Sequence, residues 1–126
     1  MVSIDPGSLS VEQFFAEEPL GTQVYDALVR VVDDLGPATV RVTKSQVAFR
    51  RRTGFCWVWL PGMYLRRPGA QVVISLALGH EDTSPRWKQV TQVGDRRWMH
   101  HLEVRSADDV DGELATWLAA AYALAA

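Results

Sequence analysis

From Leu20 to Leu35 the residues Leu20, Val24, Leu28, Val31 and Leu35 recur at intervals of three or four, whereas from Ala38 to Arg105 apolar residues recur at every second position. The first spacing lines one face of a helix and the second lines one face of a strand. The change falls at Gly36-Pro37, where glycine accepts the turn that ends a helix and proline cannot continue one. Val110, Leu114, Trp117, Leu118, Ala121, Tyr122 and Ala125 then return to a helical face. The expected fold class is α+β: an antiparallel sheet of five or six strands, flanked on one face by N-terminal and C-terminal helices as a two-layer structure. At 126 residues the chain has room for one domain, expected over 1–126 with residues 1–9 as a flexible N-terminal arm.

Local signals place the elements. Ser10 with Gln13 fits a capping box for a short helix that runs to Glu18 and is stopped by Pro19, and a second helix is expected from Gly21 to Leu35. Strands are expected at 38–42, 46–52, 55–60, 72–78, 88–93 and 98–105, with tight corners at Thr53-Gly54 and Gly94-Asp95. The last helix begins at Ser106, with Asp109 as its capping-box partner and Asp108 and Asp111 favourable near its N-terminus. The connections 61–71 and 79–87 hold Gly, Pro and charge and are read as surface loops.

Composition excludes several classes. Cys56 is the only cysteine, so neither an internal disulfide nor a thiolate-rich zinc site can form. The segment MVSIDPGSLS has no basic start followed by an apolar run, so a cytoplasmic location is expected. Leu114 to Ala126 falls short of the roughly 20 apolar residues of a bilayer crossing, so no membrane association is expected. The net charge of −2 conceals a segregation: residues 1–37 carry seven acids against Arg30, residues 106–126 carry four acids and no base, and residues 38–105 hold twelve of the thirteen Lys and Arg. Such a layout serves either an electrostatic face for an anionic partner or complementarity between acidic helices and a basic sheet.

The hairpin around Thr53-Gly54 carries the most chemistry. A two-residue turn sets Arg52 opposite Phe55, Arg50 opposite Trp57 and Ala48 opposite Trp59 on one face, leaving Val47, Phe49, Cys56, Val58 and Leu60 for the core. Guanidinium and indole on one face make a platform for a planar ligand, or else the arginine stems simply cover tryptophan. Thr43-Lys44-Ser45 between two strands is either an anion-holding bend or a solvated turn, and it lacks the glycines of a phosphate loop. His100 and His101 point to opposite faces of a strand and cannot chelate one ion together; His100 is assigned to the core and His101 to the ligand side. His80-Glu81-Asp82 has no spaced partner for a metal. Cys56 on the core side is inert filler. No catalytic residue, metal ligand or cofactor emerges.

The stretch Val42-Thr43-Lys44-Ser45-Gln46-Val47-Ala48-Phe49-Arg50-Arg51, with Phe55, Trp57, Val58 and Leu60 and then Trp98-Met99-His100-His101-Leu102-Glu103-Val104-Arg105, resembles a small bacterial domain family labelled only as a domain of unknown function. Members of that family occur alone or behind nuclease-like domains and domains labelled as predicted transport proteins. The resemblance covers the chain from Phe14 onward and implies the helix, sheet, helix organisation, with Thr43-Lys44-Ser45 and the Trp and His positions as the signature.

The function expected is a non-enzymatic binding domain whose basic, aromatic sheet face receives an anionic or planar ligand, small molecule or nucleic acid. Lys44, Ser45, Arg50 and Lys88 would supply charge and polar contacts, Trp57 and Trp59 stacking, and His101 a hydrogen bond. A protein-interaction or homodimerisation module using the same aromatic patch is the alternative. An enzyme using Lys44 or His101 stands third, since neither has a partner in the sequence.

Overall fold

The computed structural model describes residues 1–126. Helix α1 (Val11–Phe14) starts where Ser10 accepts a hydrogen bond from the Gln13 backbone N–H at 3.2 Å. Helix α2 (Pro19–Leu35) follows at once. Pro19, expected as a stop signal, is instead the first residue of α2, where its fixed φ suits the helix and its missing N–H costs nothing. Gly21, Val24, Ala27, Leu28 and Val32 are the buried positions of α2, while Val31 and Leu35 lie half-buried on the flank. The helix ends at Gly36, whose φ of +142° disfavours any side chain; a Cβ there would also meet the Tyr122 hydroxyl at 2.5 Å.

Seven strands form one sheet: β1 (Val2–Ile4), β2 (Ala38–Val42), β3 (Val47–Arg50), β4 (Gly54–Trp59), β5 (Val72–Leu78), β6 (Gln89–Gly94) and β7 (Arg97–Val104). Their order is β1-β2-β3-β4-β5-β7-β6. The α+β class stands, but the sheet has seven strands and is mixed, because β1 pairs parallel to β2. The additional strand comes from residues 1–9, expected as an arm. Val2 and Ile4 sit opposite Ala38 and Val40, and the Val2 N–H also donates to Asp33 Oδ1 at 2.6 Å. A strand of three residues is too short to give a periodic signal, so pairing alone reveals it.

Alternation assigns the faces. Val40, Val42, Val47, Phe49, Cys56, Val58, Val72, Ile74, Leu76, Leu78, Leu102 and Val104 join Val24, Leu28 and Val32 of α2 in one core cluster. Helix α3 (Gly112–Leu124) contributes Leu114, Leu118 and Ala121 to the same cluster and packs on β4, β5 and α2. Its start is split: Ser106 caps a 3₁₀ turn over Ala107–Asp109, and Asp111 caps α3 by accepting from the Leu114 N–H at 3.0 Å. Each buried aliphatic side chain of this cluster is worth about 1.5–3 kcal/mol of transfer free energy.

The β3–β4 hairpin departs from the expected register. Arg51, Arg52 and Thr53 form the loop, Arg50 pairs with Gly54, and Phe49 pairs with Cys56, so Phe55 is an extra residue in β4. Such a bulge locally rotates the strand. Phe55 therefore faces inward, fully buried, and meets Phe49 and Tyr122 at ring-centroid distances of 6.4 and 5.5 Å. Ala48 rather than Arg50 lies opposite Trp57. Arg51 is also structural: its guanidinium lies 4.0 Å from the Tyr122 ring centroid and donates to the Tyr122 carbonyl oxygen at 2.9 Å.

Candidate functional site

The strand register brings residues distant in sequence into one row across the face opposite the core cluster. Arg41 pairs with Ala48, Ala48 with Trp57, Trp57 with Ser75, Ser75 with His101, and His101 with Gln89. Trp57 and Trp59 are half-buried on this face, and His101 is half-buried beside them. Together with Ser45, Gln46, Tyr64, Ser75 and Met99 they line a recess of about 370 Å³. Ser75 is small, so the lining stays low where it lies beside the indoles.

A hydrogen-bond chain crosses the floor. Trp59 Nε1–H donates to Ser75 Oγ at 2.9 Å, and Ser75 Oγ lies 2.6 Å from His101 Nδ1. The His101 ring stands at 89° to the Trp59 ring with centroids 6.3 Å apart, and Tyr64 flanks Trp59 at 6.2 Å. Burial, and then the neighbouring His100, hold the His101 imidazole below its ordinary pKa, so it is neutral at pH 7. Ser75 is only 2% exposed and already accepts from an indole N–H, an arrangement that orients a histidine rather than presenting a nucleophile.

Four of the seven site residues expected from sequence meet here: Ser45, Trp57, Trp59 and His101. Arg50 is exposed on the same face beside Gly54, the residue over which the Trp57 ring lies. Lys44 does not join them. It lines a separate recess of about 290 Å³ with Leu9, Ser10, Phe14 and Met63. Its neighbours are committed to the turn, the Ser45 N–H donating to Thr43 Oγ1 at 3.2 Å and the two hydroxyls lying 3.1 Å apart. Lys88 also lies off the site: it is exposed in the bend before β6 and is not among the residues that line the recess. Ser75 and Tyr64 stand out only faintly in the sequence. Ser75 is the one polar residue in Val72–Leu78, and Tyr64 is an aromatic in a loop otherwise rich in Gly, Pro and Arg.

The remaining clusters serve the fold. His100 is fully buried, its Nε2 accepts from the Asp82 N–H at 2.9 Å, and its Nδ1 lies 3.1 Å from the Trp98 carbonyl oxygen. Asp82 in turn accepts from Trp87 Nε1–H at 2.7 Å, so His80-Glu81-Asp82 belongs to a pinned loop. Arg86 donates to Asp111 and Glu113 and covers Trp117. No group of three or more His, Cys, Asp or Glu is placed to hold a metal ion. A larger recess of about 640 Å³ lies between the α1–α2 turn and the loop holding Gly62, Met63 and Pro68, with Glu17 and Glu18 on its wall. Two carboxylates suit no anion, and the aromatic recess has the richer chemistry. No helix is long and apolar enough to cross a membrane.

The chain belongs to the family described as Domain of unknown function (DUF5655), whose pattern matches residues 11–125. No curated protein and no solved structure matches the chain.

Proposed function

We propose that this member of a family without an assigned activity is a cytosolic binding domain, whose open sheet face receives a planar group carried on an anionic chain or headgroup. The observation that carries this reading is the pair Trp57 and Trp59, half-buried around one recess with His101, on the face opposite the main core cluster, where the small or short side chains of Ala48, Val73, Ser75 and Ala77 are buried beneath the larger rings. Evolved cores bury tryptophan; two left partly open beside each other are suited to stacking.

Charge on this face supports the anionic part. Arg50 is exposed there, and Arg97, two residues before Met99, reaches the Gly54 carbonyl oxygen at 3.5 Å. Arg41 and Arg105 share the face, although each has an acid nearby, Asp5 at 3.7 Å and Glu103 at 3.6 Å. Arg66 and Arg67 are exposed in the loop that carries Tyr64. The acids of α2 and α3 lie on the helical side, so the layout favours a polyanion at the sheet.

The test is a titration of the full chain with fluorescein-labelled oligo(dT) at 50 and 300 mM salt. Binding that weakens steeply with salt is expected, because each neutralised phosphate releases condensed counterions. No binding at low salt removes the nucleic-acid form of the proposal.

Homodimerisation through the same face is a second reading, favoured by one observation: Met63, Tyr64 and Leu65 project from the rim, each more than half exposed. Sedimentation equilibrium separates the two readings, because a dimer through this face would change mass with concentration and compete with the oligonucleotide.

A further inference from the structure

We propose that the chain Trp59–Ser75–His101 fixes one tautomer of His101, with the proton on Nε2, and that Nε2–H reads a hydrogen-bond acceptor on a nucleobase held in the aromatic recess. The inference rests on the binding reading of this face and specifies the ligand's chemistry.

The tautomer follows from counting donors. An indole N–H can only donate, so Ser75 Oγ accepts from Trp59 and its own single proton must find an acceptor. The other partner of Ser75 Oγ is His101 Nδ1 at 2.6 Å, and Ser75 is buried away from water. Were Nδ1 protonated, it would donate to the same oxygen and leave the Ser75 hydroxyl proton without an acceptor in a buried site. Unmade buried hydrogen bonds are expensive, so Nδ1 accepts and Nε2 carries the proton. Nε2 has no protein partner and is not sealed from solvent, so it is the donor that His101 offers to the recess.

The lining matches a base better than a simple anion. The immediate walls are Trp57, Trp59, Tyr64 and Met99, with no Lys or Arg among them, and the polar residues are Ser45, Gln46, Ser75 and His101, of which Ser75 is already committed to Trp59 and His101. An aromatic slot with a neutral donor and an amide is how unpaired bases are stacked and read along their edges. The charges stand farther out, where a sugar–phosphate chain would run.

Two measurements on the full chain test this. Long-range ¹H–¹⁵N correlation NMR at pH 7.5 should show His101 as the Nε2–H tautomer alone, and Ser75→Ala should relax it to the mixture of tautomers, with a minor Nδ1–H form, that a free histidine side chain shows. An Nδ1–H tautomer in the parent protein overturns the inference. Separately, oligo(dT) should bind at least tenfold tighter than an abasic phosphodiester chain of equal length. Equal affinity for the two overturns base reading while leaving the anionic surface intact; binding of neither overturns the surface reading and the inference with it. Should Ser75→Ala unfold, His101→Gln, which keeps a donor, should retain more of the oligo(dT) preference than His101→Phe; equal losses would also count against the inference.

Discussion

The Trp57 indole lies over the backbone of Gly54: a Cβ added at Gly54 would fall 2.6 Å from Trp57 Cζ2. The φ of Gly54 is not in the left-handed region, so glycine is needed here for close approach and not for backbone conformation. The bulge at Phe55 sets this contact by turning Phe55 inward and leaving Trp57 to fold back along the outer face.

Gly54→Ala should therefore displace the indole, with a stability loss of about 0.5–3 kcal/mol. Near-UV circular dichroism and a thermal melt check it. An unchanged tryptophan signal would show that the ring is free to move at no cost.

Trp57→Ala should weaken oligo(dT) binding by about 1–3 kcal/mol, the usual range for a stacking side chain. Its effect on folding should be smaller than that of Phe49→Ala, which empties a fully buried site and should cost about 3–5 kcal/mol. Urea denaturation of both variants gives the ranking, and the reverse order would place Trp57 in the core.

Cys56 is fully buried and unpaired, and burial alone pushes its thiol pKa far up. A disulfide exchange reagent should react slowly with native protein and rapidly in denaturant, since both thiolate and access are lacking in the fold. Fast labelling of the native state would falsify the assignment of faces in β4.

His100 supplies a pH dependence with a definite sign. Its folded pKa is depressed, chiefly by burial, against an unfolded value near 6.5. The unfolded chain thus binds the proton more readily. The stabilisation from neutral His100 is complete above about pH 6.5 and is lost as pH falls from there toward the folded value. Protonation also places a proton on Nε2, which now accepts from the Asp82 N–H, so the 79–88 segment should loosen with it. Urea midpoints between pH 8 and 5 should decline below about pH 6.5, and hydrogen exchange should locate the change at Asp82. His101 titrates in the same direction, so the His101→Gln variant isolates the His100 contribution.

Periods of three to four and of two were legible in the residues themselves, because each element must place its apolar groups on one side whatever it packs against. That logic located α2, β2 and α3, and it separated His100 from His101 by strand alternation alone, while β5 stood out as a continuous apolar run that proves to be buried on both faces. Capping chemistry marked Ser10 and Ser106 for the same local reason. What the residues did not disclose depended on partners far away in the chain. Val2–Ile4 is a strand only because Ala38–Val40 lies beside it, and Phe55 turns inward only because a three-residue loop shifts the hairpin register. The site has the same origin: Trp59, Ser75 and His101 come from three strands, and a buried hydroxyl gains a role only when pairing sets an indole N–H on one side of it and an imidazole on the other. Local periodicity determines the face of a residue wherever the strand runs without a bulge, while the pairing that decides its neighbours, and at Phe55 its face as well, is a property of the folded sheet, where long-range register is settled by packing of the whole core.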